Sequence, residues 1–247
     1  MIRYVQGETD PQASLTITYA YDPTASSYTL SYNANARTWG TPANMPGNET
    51  VTGGEVTLSS QVPTITLNEA GKKAVFVGWT ETAVDKIYSV GDTLDSSTVY
   101  AAGEKYTISQ NTTLYAAWGY DTDGDGKPDV TEDKRTVTYN ANGGTFGSDE
   151  TKTETVPAQP SYRLNTTAEF KPTHADHNST KVAFVGWSET QHSDIYGLND
   201  NYDDSILADT VDVSSEDKTV YAVWGYDTNG DGKPDVQDES YGITASV

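Results

Sequence analysis

The sequence predicts a mainly β chain, α+β with little helix, written as two tandem modules. Three observations carry that prediction. First, Leu15-Thr-Ile-Thr-Tyr-Ala-Tyr21, Tyr28-Thr-Leu-Ser-Tyr32 and Arg135-Thr-Val-Thr-Tyr139 alternate with period two, the pattern of half-buried strands. Second, landmarks recur in one order at nearly constant spacing. Asp121-Thr-Asp-Gly-Asp-Gly-Lys-Pro-Asp129 returns as Asp227-Thr-Asn-Gly-Asp-Gly-Lys-Pro-Asp235, 106 residues on. Tyr32-Asn-Ala-Asn35 returns at Tyr139, Phe76-Val-Gly-Trp79 at Phe184 and Tyr115-Ala-Ala-Trp118 at Tyr221, with offsets of 107, 108 and 106. A chain that repeats itself this way is a tandem array. Third, helical periodicity is thin. Asn68–Lys73 could hold one turn, and the segments after Trp79 and Trp187 another each.

The elements follow in order. Residues 15–21 and 28–32, separated by the turn-forming Asp22-Pro-Thr-Ala-Ser-Ser27, read as a hairpin. Strands are expected at Glu55–Leu58, Ile65–Leu67, Ala74–Trp79, Tyr106–Ile108 and Leu114–Trp118. The second copy offers Arg135–Tyr139 with a turn at Asn142-Gly-Gly144, then Lys181–Trp187, Thr210–Val213 and Thr219–Trp224. The resulting division is 1–27, an N-terminal hairpin segment ending a preceding module; 28–133, the first module; 134–240, the second; and 241–247, the start of a further one. Tyr241–Val247 aligns with the opening strand of the second copy, so the chain is expected to be part of a longer protein. The copies differ most over Gly47–Lys73 and Ser148–Lys181, the kind of connection on which modules of one scaffold acquire different surfaces.

Composition narrows the function. With 36 Asp and Glu against 15 Lys and Arg, the net charge is −21, which repels phosphate backbones and anionic lipid. No nucleic-acid partner and no direct membrane contact are expected, and a surplus of carboxylates suits hard cations. The absence of cysteine removes disulfides, thiol nucleophiles and thiolate metal sites. Hydrophobic residues make up 35%, while 17 Tyr and 5 Trp stand ready to supply the missing burial. Trp79, Trp118, Trp187 and Trp224 occupy matching strand positions and read as core; Trp39 and Phe146 match as a size-tolerant packing pair. Tyr162, Tyr196 and Tyr202, in divergent segments, are the better candidates for an exposed contact surface. His174, His177 and His192 occur in the second copy alone, against a repeated transition-metal site. No nucleophile elbow, P-loop or dinucleotide fingerprint is present, and no enzyme activity is expected.

The repeated acidic stretch carries the chemistry. An EF-hand-like loop places oxygen ligands at positions 1, 3, 5, 7 (a backbone carbonyl), 9 and 12, with Gly at 6 for the sharp turn. The first copy supplies Asp121, Asp123, Asp125, the Lys127 carbonyl, Asp129 and Glu132, with Gly126 at the turn. The second supplies Asp227, Asn229, Asp231, the Lys233 carbonyl, Asp235 and Asp238, with Gly232. The expected cofactor is Ca2+, one ion per loop. The second site should be weaker, having an amide at position 3 and the shorter Asp at position 12. Pro128 and Pro234 at position 8, and flanking strands instead of helices, set these loops apart from a paired EF-hand.

The opening strand ending in Tyr-Asn-Ala-Asn-Gly-Gly, then Phe-Val-Gly-Trp, then the closing Thr-Val-Tyr-Ala-Val-Trp resembles the Listeria–Bacteroides repeat, also called the internalin B-repeat type. The resemblance covers roughly 28–118 and 135–224. It implies β-grasp-like modules used as stalk or adhesive repeats at the bacterial cell surface or cell wall, outside the cell and without enzymatic activity. The first copy departs from the pattern with Ala36-Arg37 in place of Gly-Gly. The loops are similar to thrombospondin type 3 and dockerin calcium repeats. The function expected is a calcium-stabilised stalk or adhesin, monomeric, with a host or cell-surface protein or glycan as partner. A carbohydrate-binding accessory region of a secreted enzyme is the alternative.

Overall fold

The computed structural model describes residues 26–238, except 199. The expected strand at 15–21 and the segment 241–247 lie outside the described residues. The first half contains β1 (Ser27–Asn33), β2 (Gly40–Ala43), β3 (Glu49–Thr52), β4 (Gly54–Thr57), β5 (Thr64–Leu67), β6 (Ala74–Thr80), β7 (Lys105–Ile108) and β8 (Thr112–Tyr120). The second contains β9 (Lys134–Asn140), β10 (Thr151–Pro157), β11 (Tyr162–Arg163), β12 (Lys181–Ser188), β13 (Ile195–Tyr196), β14 (Thr210–Val211) and β15 (Lys218–Asp227). The chain is mainly β. Its helical content among the described residues is five three-residue 3-10 turns.

Each half builds a mixed sheet of the same design, ordered β3-β1-β8-β6 in the first and β10-β9-β15-β12 in the second. The opening and closing strands are parallel neighbours at the centre: Tyr32 pairs with Leu114, and Tyr139 with Val220. The outer strands are antiparallel to them. Parallel neighbours cannot be joined by a hairpin, so everything between opening and closing strand is crossover. That crossover carries the two-stranded pairs β2–β5 and β4–β7 in the first half and β11–β14 in the second.

The repeated motifs are fastenings of this plan. Asn33 Oδ1 accepts from Asn35 N at 2.7 Å, and Asn35 Nδ2 donates to the Ala116 carbonyl at 3.2 Å and the Val84 carbonyl at 2.8 Å. In return, the indole Nε1 of Trp118 donates to the Ala34 carbonyl at 2.9 Å. The second copy repeats this, with Asn142 Nδ2 on the Ala222 and His192 carbonyls and Trp224 Nε1 on the Ala141 carbonyl. Asn35 and Asn142 hold positive φ, 45° and 49°, a conformation Asn tolerates better than most side chains. Phe-Val-Gly-Trp is a β-bulge. Register slips between Phe76 and Gly78, and between Phe184 and Gly186. A Cβ on Gly78 would clash with Val99, so glycine there lets the crossover approach; one on Gly186 would press the end of the Leu207 side chain at 3.0 Å.

Two hydrophobic clusters result. Leu30, Tyr32, Trp79, Leu114 and Trp118 centre the first, and Val137, Tyr139, Trp187, Val220 and Trp224 the second. Tyr32 lies 4.7 Å from Trp79, and Tyr139 5.1 Å from Trp187, ring centre to ring centre. The crossovers are pinned to these tyrosines: Tyr32 Oη accepts from Ser59 N, and Tyr139 Oη from Asn165 N, each at 2.9 Å.

Some expectations are corrected. Asn68–Lys73 is a turn with Gly71 at φ 82°, not a helical turn; the Gly conformation and the short span rule out a hydrogen-bonded helix there. After Trp79 and Trp187 the helical content is 3-10 turns at Ser96–Thr98 and Asp204–Ile206. β10 was not expected. Thr-Lys-Thr-Glu-Thr offers few apolar residues because β10 is an edge strand, exposed at Thr151, Thr153 and Thr155 and buried only at Val156 and Pro157.

Replacing Trp187, which is 3% exposed, by Ala should destabilise the second core by about 3–5 kcal/mol, measured by denaturant unfolding. Burial, before any other cause, pushes the Tyr106 and Tyr139 phenols up to about 12. The unfolded chain releases those protons near pH 10 while the folded chain keeps them, so the fold loses stability as pH rises from about 10 through 12. Tyrosinate absorbance should show a late-titrating fraction that vanishes in denaturant.

Candidate metal centre

Both acidic loops leave the end of a closing strand and fold back onto it. Pro128 lies over Gly119 of β8: a Cβ on Gly119 would stand 2.8 Å from Pro128 Cβ and 3.0 Å from Val77 Cγ2. Pro234 lies over Gly225 of β15 in the same way, at 2.7 Å. Asp121 N also donates to the Lys73 carbonyl at 3.2 Å. The first loop is therefore docked on the module it follows. At its far end, the Asp133 carbonyl accepts from Ala158 N at 2.9 Å, and Lys134 Nζ donates to the Asp92 carbonyl at 3.1 Å. The stretch thus fastens to both halves.

Within the loop, side-chain oxygens shape the backbone. Asp121 Oδ1 accepts from Gly124 N at 2.7 Å, Asp123 Oδ1 from Asp125 N at 3.1 Å and Asp125 Oδ1 from Lys127 N at 2.7 Å. These short-range turns are what Asp does best locally. Gly124 and Gly126 sit at φ 82° and 88°, where a side chain would be strained. Asp227, Asn229 and Asp231 make the same three bonds, to Gly230, Asp231 and Lys233 N. Asp227 spends its second oxygen on Gly232 N at 3.1 Å.

Asp129 and Asp235 at position 9 are 1% and 3% exposed. Asp129 accepts from Thr122 N at 3.0 Å and from Thr122 Oγ1 at 2.8 Å; Asp235 is held by Thr228 in the same way. The position-2 threonine, the Gly-Tyr after Trp118 and Trp224, and the packing role of the position-8 proline are signals that the sequence reading missed. All three are identical in both copies, which is how they could have been found.

The first loop gathers its carboxylates. Ligand atoms of Asp121, Asp123 and Asp129 lie within 4.8 Å of one another, as do those of Asp123, Asp125 and Glu132. Among the described residues, no three of Asp227, Asp231, Asp235 and Asp238 converge as closely. There the central position is Asn229, whose Nδ2 donates to Asp238 Oδ2 at 3.1 Å. The carbonyls of Lys127 and Lys233 belong to the predicted sets through the backbone. The Lys127 side chain forms an ion pair with Asp125 at 2.6 Å.

The electrostatics of the first loop are those of crowded negative charge. Burial first, then the Asp123 and Asp121 charges, raises the Asp129 carboxyl above its ordinary range, against the pull of the Thr122 bonds. Burial and then Asp123, Asp125 and Asp129 raise Glu132, which Lys127 only partly offsets. Glu132 Oε2 is buried without a hydrogen-bond partner among the described residues. Asp125, paired with Lys127, is held below its ordinary range. A site of hard oxygens with unneutralised charge fits a divalent cation of calcium's chemistry.

Other predicted positions resolve differently. Trp79, Trp118, Trp187 and Trp224 are all buried. Tyr162, expected as an exposed contact, packs against the second core and donates to Glu154 Oε2 at 2.7 Å, so it is a structural residue. Tyr196 and Tyr202 are half-buried and packed together at 5.2 Å. His174 lies 5.0 Å from the Trp224 ring, His177 bonds Tyr226 Oη, and His192 faces Ser188 and Tyr196; none joins a ligand cluster among the described residues. No described helix is long and apolar enough to cross a membrane.

Replacing Gly119 by Ala should lift Pro128 from β8 and lower stability by about 1–3 kcal/mol. Limited proteolysis should then cut within the first acidic loop faster than in the parent chain.

No family model matches the chain, and no curated protein matches it. A solved structure of Streptococcal High Identity Repeats in Tandem (SHIRT) domains 3-4 from a cell surface protein is similar to it at 11% identity and a TM-score of 0.24, covering 81% of this chain and 98% of that chain.

Proposed function

We propose that the chain is a non-enzymatic repeat region of a bacterial surface protein, each module closed by one calcium ion, serving as a stalk or adhesive spacer. The observation that carries the reading is the first loop. Asp121, Asp123, Asp125, Asp129 and Glu132 converge there, and the Glu132 carboxylate keeps one buried oxygen without a partner. Asp227, Asn229, Asp231, Asp235 and Asp238 repeat the spacing in the second loop. A Ca2+ ion tolerates irregular oxygen cages, whereas Mg2+ keeps its waters and competes poorly. The placement supports a mechanical role, because the first loop lies between closing strand β8 and opening strand β9 and bonds to both halves. Without metal, the repulsion among its carboxylates works against the compact loop; with metal, the same charges become ligands and fix the joint. The carbohydrate-binding alternative draws no support from the four strand tryptophans, which lie inside the cores.

Calorimetric titration of metal-stripped protein should give two calcium ions per chain at millimolar calcium. Asp121→Ala with Asp125→Ala should remove one site and leave the other. A stoichiometry well below two would refute the reading. Small-angle scattering tests the mechanical half: chelation should broaden the distance distribution and expose Gly124–Lys127 to protease while both cores stay folded. Identical profiles with and without chelator would leave the stiffness to direct contacts such as Lys134 with Asp92.

A further inference from the structure

The sequence contains two Asn-Gly pairs, Asn142-Gly143 and Asn229-Gly230, and the fold treats them in opposite ways. We infer that Asn229 is a site of spontaneous deamidation, and that its aspartyl product gives the second acidic loop a carboxylate at each side-chain ligand position, as in the first.

Glycine after asparagine leaves the following peptide nitrogen without a Cβ beside it; in the folded loop Gly230 N donates to Asp227 Oδ1 at 2.7 Å, so the attack proceeds when that bond opens. Deamidation needs that nitrogen to reach the side-chain carbonyl. Gly230 N, losing its proton to solvent hydroxide, bonds to Asn229 Cγ. The tetrahedral carbon then expels Nδ2, which leaves as ammonia with a proton from water. Water opens the resulting succinimide. Breaking the bond from nitrogen to the side-chain carbonyl gives aspartate; breaking the bond from nitrogen to the main-chain carbonyl gives isoaspartate. The net change is amide plus water to carboxylate plus ammonium, with no oxidant or reductant.

Asn229 is placed for this. It is exposed, in a loop whose glycines at 230 and 232 adopt φ 76° and 87°. Its Oδ1 accepts from Asp231 N at 2.9 Å, which curls the side chain over the Gly230 peptide and draws electron density from the amide carbon. Its leaving nitrogen is held by the exposed-loop contact to Asp238 Oδ2 at 3.1 Å.

Asn142 is locked. Its Nδ2 donates to the His192 carbonyl at 2.6 Å and the Ala222 carbonyl at 2.9 Å, and its Oδ1 accepts from Gln191 Nε2 at 3.0 Å. Its own N–H is held by Asn140 Oδ1 at 2.7 Å. A carboxylate at 142 would face two carbonyl oxygens, so the fold opposes the product as well as the approach.

With aspartate at 229, the second loop reads Asp-Thr-Asp-Gly-Asp-Gly, identical to residues 121–126. The amide donor to Asp238 becomes a like charge facing it, added to those of Asp227 and Asp231. Isoaspartate instead adds a methylene to the backbone and spoils the turn spacing. That the aspartyl form binds calcium more tightly rests on the calcium reading; the deamidation does not.

The intact chain is held folded at mildly alkaline pH, sampled over time and mapped by peptide mass spectrometry, with electron-driven fragmentation to tell aspartate from isoaspartate. A parallel sample is held in denaturant. The amide-to-acid mass gain is expected several-fold faster at 229 than at 142 in the folded chain, with the difference collapsing in denaturant. Equal rates in the folded chain, faster conversion at 142, or no conversion at 229 over a period in which the denatured chain converts would each overturn the inference. Calorimetric titration of Asn229→Asp separates the second reading. Calcium binding no tighter than in the parent, with conversion at 229 proceeding as expected, would fail the calcium assignment and leave the deamidation site standing.

Discussion

The structure depends on joining the first and last strands of each module as parallel neighbours. This pairing is costly to close, since the whole crossover must be ordered before its contacts form. The fastening that holds it is reciprocal. A side-chain amide of the opening strand's end reaches a carbonyl of the closing strand, and the closing strand's tryptophan returns a bond two residues away, at Asn35–Ala116 and Trp118–Ala34, and again at Asn142–Ala222 and Trp224–Ala141. Both bonds lie at the edge of the core, where an unmet donor is expensive. Remove either and the strand ends lose the partner that registers them.

The acidic loops inherit their position from this closure. Because β8 and β15 are central strands, their ends are fixed, and the glycine after each tryptophan gives the returning proline a surface to rest on. Thr122 and Thr228 then fix the buried position-9 carboxylate, which ties the far limb of each loop to its start. The outcome is a loop whose shape is set by packing and local hydrogen bonds, and whose charge is left for something else to balance. Asp129 and Glu132 register that imbalance in their raised carboxyl pKa values.

The two copies show how one scaffold carries different crossovers. The first uses β2, β4, β5 and β7; the second extends β10 and makes a shorter β11–β14 pair. In both, the crossover bonds back to the same tyrosine, Tyr32 or Tyr139. The anchor is constant and the path between anchors is free. Divergence between the copies therefore accumulates along that path and spares the central strands.

The sequence by itself determined the duplication, the strand-rich class, the opening and closing strands, the buried tryptophans and the ligand spacing of both loops. These are local or periodic properties: alternation marks a half-buried strand, and a repeated motif needs no partner to be read. Tertiary structure alone decided the strand order, the edge strand β10, the burial of Tyr162 against the second core, and the different fates of Asn142 and Asn229. Two identical dipeptides separate only when distant carbonyls, those of His192 and Ala222, meet one of them. The folding back of each loop onto Gly119 or Gly225 likewise depends on contacts across the strand end, which no spacing along the chain encodes. Long-range contact decided what local chemistry left open.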